Sequence, residues 1–253
     1  MLVALCSLKG SPGTTTLALA LGARWPGPEA PIVVEADPAG GDLVSRFRLA
    51  ESPGLVSLAA AGRRSTDPDL LTQHSQVLPG GLRVVPAPVD GDQCRAALSA
   101  LTISTQWNVV VDFGRIDANL TALPHIRAVD ALLVLVRPRD DELARVAVKL
   151  QAIDRWTRRP GLVLVGDGYS AREVSNGLGV PVIGRIPRDY KGALALNGRG
   201  SSRPGPARRA RGSAGRPRHW RRIWSHRLSF LGHGSWTRRR SWPDHRPGTD
   251  GFL

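Results

Sequence analysis

Cysteine is scarce in this chain. Of 253 residues only Cys6 and Cys94 are cysteines, and they stand far apart and outside any CxxC spacing. That excludes a disulfide framework and a cysteine-built zinc site, and it fits a reducing compartment. No apolar run approaches the roughly 18 residues of a membrane helix. The opening "MLVALCSLKG" is too short for a secretory signal and carries its lysine after the apolar run instead of before it. A soluble, cytoplasmic protein is expected. HExxH spacing and any Ser/His/Asp grouping are also missing, and His74 and His125 stand alone in helical contexts, as surface or packing residues do. Positive charge is abundant but unevenly spread. Of the formal +14, residues 198–253 carry +12 through 14 arginines and 2 aspartates, which leaves residues 1–197 with +2. The net charge is therefore no argument that the first part binds nucleic acid.

Up to residue 197 the chain alternates β-branched runs with helical patterns, enough for one sizeable domain. Strands are predicted at "LVALCS" (2–7), "PIVVEA" (31–36), "LRVVPA" (82–87), "NVVVDF" (108–113), "ALLVLV" (131–136), "LVLVG" (162–166) and "PVIGRI" (181–186). These runs are apolar without alternation, the pattern of strands covered on both faces. The clearest helix is 140–156, where Leu143, Val146, Ala147, Leu150 and Ile153 recur behind an acidic start. The expected fold is α/β: a doubly wound, mainly parallel sheet of about seven strands with helices on both faces. Its ligands would sit beyond the carboxyl ends of the strands. "RPRDDE" (137–142) reads as a helix start with its arginines in solvent.

Residues 198–253 are a different kind of sequence. Beyond residue 202 valine, glutamate and lysine are absent, while the whole segment holds four of the chain's seven tryptophans. Without helix or strand period, it reads as an irregular, disordered tail. Two accounts remain: attachment to nucleic acid or acidic membrane through arginine and tryptophan, or GC-rich coding DNA read out of frame from near residue 200.

The stretch "SLKGSPGTTTLALALG" (7–22) has the form of a phosphate loop: strand, glycine turn, helix. Such a turn gathers backbone N–H groups and the positive helix end around an anion. Gly10 and Gly13 permit the turn, yet Thr14 stands where the usual GxxxxGK[ST] pattern has its lysine. The loop resembles the deviant Walker A motif, KGGxGK[ST], of the ParA/MinD family of P-loop ATPases. Lys9, Gly10, Gly13, Thr15 and Thr16 match, Ser11 replaces the second glycine, Pro12 is the variable position and Thr14 replaces the Walker lysine. "VVEADPAGGDL" (33–43) resembles the family's DxDPxG, with Glu35 for its first aspartate and Asp37 at the second. "NVVVDFG" (108–114) resembles Walker B, ending on Asp112, and 172–195 resembles the closing strand and proline-containing loop, with Pro187 and Asp189.

The resemblance covers about residues 1–195 and implies a role for each position. Lys9 would reach the phosphates of a partner subunit, and Asp37 would place the attacking water. Thr15, Asp37 and Asp112 would serve Mg²⁺. Gly10, Ser11, Pro12, Gly13, Thr14, Thr15 and Thr16 would cradle phosphate, while Pro187 and Asp189 would border the adenine. ATP and Mg²⁺ are the implied ligands, in a homodimer formed around ATP, with an unidentified protein partner and non-specific DNA or a membrane surface as further contacts. With Cys94 alone outside the first strand, no metal cluster is expected. The function expected is a switch in chromosome or plasmid partitioning or cellular positioning, with weak or absent hydrolysis for want of the Walker lysine. A catalytically dead pseudo-ATPase serving as an interaction module is the alternative, as is nucleic-acid binding through the tail.

Overall fold

The computed structural model describes residues 1–10, 12–101, 107–116, 123–157 and 160–196, so Ser11, the 197/198 boundary and the arginine-rich segment lie outside the described residues. Eight strands form one sheet: β1 (Leu2–Ser7), β2 (Ile32–Glu35), β3 (Gln76–Val77), β4 (Arg83–Val85), β5 (Val109–Arg115), β6 (Ala131–Val136), β7 (Pro160–Val165) and β8 (Val182–Ile186). Their order is β3-β4-β2-β5-β1-β6-β7-β8, and every pairing is parallel except β3 with β4. Each of the seven expected strands is present. The eighth, β3, is two residues long, too short for any period to mark it.

Nine helices are described: α1 (Thr14–Ala23), α2 (Leu43–Phe47), α3 (Leu55–Gly62), α4 (Leu70–Gln73), α5 (Gly91–Ala100), α6 (Leu123–Arg127), α7 (Asp140–Trp156), α8 (Ala171–Leu178) and α9 (Tyr190–Leu196). None is long and apolar enough to cross a membrane.

β1 shows why its sequence does not alternate. Ala4 and Cys6 point into one core with Val111, Phe113 and Val134, under Leu55, Leu98, Val146 and Val174 of α3, α5, α7 and α8. Val3 and Leu5 point into a second core with Val110, Leu133 and Leu17, Ala18 and Leu21 of α1. Strand side chains alternate between faces, so a strand covered twice must be apolar at every position. Each fully buried valine or leucine contributes about 1.5–3 kcal/mol. α1 lies so close to the sheet that a Cβ on Gly22 would come within 2.7 Å of Val33.

The chain runs from β1 outward through β2 to the edge at β3, returns through β4 and β5 to one side of β1, then crosses to build β6, β7 and β8 on the other. β1 therefore stands where the winding reverses, and the crevice beyond its carboxyl end is the place such sheets offer a ligand.

Candidate functional site

Beyond Ser7 the chain turns through Gly10 (φ 67°) and Gly13 (φ 97°), both left-handed, which glycine adopts without strain. Gly13 is the N-cap of α1 and supplies no side chain, so no cap oxygen occupies the first amides of the helix. The first turn also carries no acidic residue, which leaves the positive helix end uncompensated. Pro12 is buried, Thr14 is only 6% exposed and Thr15 is half-buried. Position 14 thus holds a short, neutral, buried side chain where a phosphate loop ordinarily carries an ammonium.

On one flank of β1, carboxylates converge. Glu35 on β2 and Leu5 on β1 both register with Asp112 of β5. Asp112 is 1% exposed. Its Oδ1 accepts the Gly114 amide at 2.9 Å, while Oδ2 is buried with no hydrogen-bond partner of normal geometry. Burial pushes the Asp112 carboxyl up to about 6; the Thr15 hydroxyl and the Gly114 amide pull it down, and the nearby Asp37 charge pushes it up.

Asp37 lies over Gly114, where an added Cβ would fall 1.7 Å from Oδ2 and where φ is 56°. Its Oδ1 accepts the Ala39 amide at 2.8 Å, and burial raises its carboxyl despite this and the Arg115 amide. Glu35, also 1% exposed, accepts the amides of Asp42 (2.7 Å) and Leu43 (3.1 Å) on Oε1 and of Ala87 (3.0 Å) on Oε2. Burial still pushes its carboxyl up to about 7. Glu35 is a staple holding the segment after β2 and the end of β4 together, and Gly41 is small because a Cβ there would come within 2.4 Å of Glu35. Cys94, whose thiol burial pushes up to about 12, donates its Sγ–H to the Asp37 carbonyl at 2.9 Å.

An unpaired buried carboxylate oxygen is costly unless something binds it. Mg²⁺ is commonly held by one or two carboxylates together with waters and substrate phosphates. Asp112 with the Thr15 hydroxyl beside it fits that ion, at the mouth where backbone amides would meet a phosphate.

The other flank is built of ion pairs. Lys9 is paired with Asp141 near the start of α7, and this contact holds the Asp141 carboxyl below its usual range. Arg137 follows β6. Glu142, 5% exposed, accepts the Arg137 amide at 2.9 Å and its Nη1 at 3.3 Å. The segment 137–142 is therefore not simply solvated: an atom added at Gly10 would lie 3.6 Å from both Arg137 Nη1 and Glu142 Oε1. Further out, a shallow depression of about 740 Å³ is lined by Pro138, Arg139, Asp140, Asp141, Gly168 and Tyr169.

Of the expected site residues, Gly10, Pro12, Gly13, Thr14, Thr15 and Thr16 form the loop and first turn, and Asp37 and Asp112 meet beside it. Lys9 approaches from the opposite flank, engaged by Asp141. Pro187 and Asp189 are exposed beyond β8 at the far edge of the sheet, where Asp189 caps α9 through the Gly192 amide at 2.8 Å. α9 in turn touches α1. His74 and His125 are packing residues, bonded to Ser57 Oγ (2.9 Å) and the Leu98 carbonyl (2.7 Å).

No family model matches the chain, and no curated protein matches it in sequence. Solved structures do resemble it. A ParA family ATPase from Chlorobium tepidum TLS superposes with a TM-score of 0.61 at 20% identity, over 78% of this chain and 90% of that one. The cell division ATPase MinD of Pyrococcus furiosus gives 0.57 at 19%, over 77% and 87%. An ATP complex of a McdA variant from Cyanothece gives 0.56 at 16%, over 78% and 86%. What these share with the chain is the fold, that of the ParA/MinD P-loop ATPases.

Proposed function

We propose that this chain, folded as ParA and MinD ATPases are, is a nucleotide switch that binds Mg-ATP at the mouth between β1 and α1. The observation that carries the reading is the buried, unpartnered Asp112 Oδ2 beside a helix end whose amides no side chain caps. One of the structural neighbours, the McdA variant, is itself an ATP complex.

The chemistry follows from the residues. Loop amides and the α1 dipole hold phosphate oxygens. Thr15 and Asp112 hold Mg²⁺, which would neutralise phosphate charge. Asp37, fixed over Gly114, is placed to orient a water. Without a lysine at position 14, phosphoryl transfer lacks one fixed cation, and hydrolysis is slower by roughly 10²–10³ than with it, by analogy with single-donor losses. The nucleotide then acts chiefly by holding two copies together, with Lys9 released from Asp141 toward the partner's phosphates. Pro187 and Asp189 border the base. A cytoplasmic partitioning or positioning role is the biological setting we infer.

Calorimetric titration of the folded protein with Mg-ATP tests this. Binding at micromolar or weaker affinity is expected, and no heat at millimolar Mg-ATP overturns it. The buried, uncharged Thr14 favours one second reading, a pseudo-ATPase kept as an interaction module. Light scattering separates the two, since a switch dimerises in response to ATP and a relic does not.

A further inference from the structure

We propose that Arg137 supplies the phosphate-binding cation that position 14 lacks, so that the loop is served from the neighbouring strand. The inference rests on the nucleotide reading above.

A triphosphate is strongly anionic, and phosphate sites ordinarily include a charged donor as well as amides. Thr14 is neutral and buried, and Lys9 is taken up by Asp141. Arg46 and Arg115 lie on the carboxylate flank, near Asp112 and Asp37, and Arg46 is paired with Asp42. Arg137 is the cation that lies against the loop itself, and the sheet puts it there. β6 is hydrogen-bonded directly to β1, with Ser7 opposite Leu135. Two residues further along each chain come Lys9 and Arg137, so both follow neighbouring strands at the same end of the sheet. The Arg137 guanidinium then lies against the loop, with Nη1 3.6 Å from the point a Gly10 Cβ would occupy. Gly10 has no side chain, which leaves this approach open.

Glu142 fixes the arginine. Because one buried carboxylate accepts both the backbone amide and Nη1 of Arg137, side chain and main chain are held as a unit. The Arg137 side chain nevertheless remains 32% exposed, within reach of a ligand from solvent. Guanidinium is permanently charged and presents its donors as a planar fork suited to phosphate, so a preset arginine can do from the side what a lysine does from within the loop. Neutralising Glu142 is the competing account of Arg137, and the test removes both charges together for that reason.

The full chain is titrated with Mg-ATP by calorimetry as wild type, as Arg137→Gln with Glu142→Gln, and as that pair with Thr14→Lys added. Circular dichroism reports folding. The paired change is expected to weaken binding about 10- to 100-fold, the scale of one charge-assisted hydrogen bond. Thr14→Lys is expected to restore it to within about threefold. Wild-type affinity in the paired variant, or loss that Thr14→Lys does not rescue, overturns the role of Arg137 while leaving the nucleotide reading intact. A wild type that binds no Mg-ATP overturns both. Should the paired variant not fold, Thr14→Lys alone decides: a gain under about threefold supports a site already served by Arg137, and a gain of tenfold or more refutes it.

Discussion

The two flanks of β1 solve opposite problems. On the β5 side the carboxylates are bonded to the main chain, and Glu35 and Asp112 are each 1% exposed. On the β6 side they are paired with one another, and Lys9 with Asp141 is exposed at 35% and 63%. An acid sealed among amides is part of the fold and cannot move without disturbing it. An exposed ion pair contributes little and exchanges partners readily. The acidic side is thus made rigid before any ligand arrives, while the Lys9–Asp141 pair on the other side can be rearranged by one.

The difference is broken most severely at Glu35. Glu35→Gln replaces one accepting oxygen by an NH₂ that must face main-chain N–H groups, because Asp42, Leu43 and Ala87 all donate there. We expect a loss of about 2–4 kcal/mol in chemical denaturation. An unchanged midpoint would mean that the acidic flank is no staple. Gly114→Ala comes next. It combines a left-handed φ of 56° with a Cβ falling on the Asp37 carboxylate. A loss of roughly 2–3 kcal/mol is expected, together with weaker Mg-ATP binding as Asp37 is displaced.

Asp112 sharpens the comparison within its own flank. Unlike Glu35, it has a buried oxygen with no hydrogen-bond partner of normal geometry; as at Glu35, burial has pushed its carboxyl up, here to about 6. Keeping it charged at neutral pH destabilises the unliganded protein. Asp112→Asn is therefore expected to raise stability by about 1–2 kcal/mol while removing the Mg²⁺ dependence of nucleotide binding. A variant that is both less stable and still Mg²⁺-dependent contradicts the assignment of Asp112 to the metal.

Much of this was legible in the sequence, for physical reasons. β1, β6 and α7 have the bounds their patterns predict, since strands buried on both faces leave unbroken apolar runs and three acids form the first turn of α7. Asp37 and Asp112 stand out in the sequence because each follows such a run. What was not legible depends on contacts across the sheet. Glu35 read as a substituted motif residue; its staple role needs Gly41 and the end of β4, 52 residues on at Ala87. Arg137 read as solvated because nothing in "RPRDDE" shows that β6 lies beside β1 or that Glu142 is buried. Strand neighbourhood is a property of topology, and no local period encodes it.

The smallest effect is expected on the cationic flank, at Asp141→Asn. Lys9 holds the Asp141 carboxyl below its ordinary value, so the pair is formed at neutral pH and is lost only as pH falls through that lowered value. Both side chains face solvent, and water replaces much of what each loses. The neutral-pH denaturation midpoint should therefore match wild type within error, while Lys9, no longer held, is free to reach a partner's nucleotide. ATP-dependent dimerisation, followed by light scattering, should then occur at lower protein concentration than in wild type. A fall in stability comparable with that of Glu35→Gln would show that this flank is as much a part of the fold as the other.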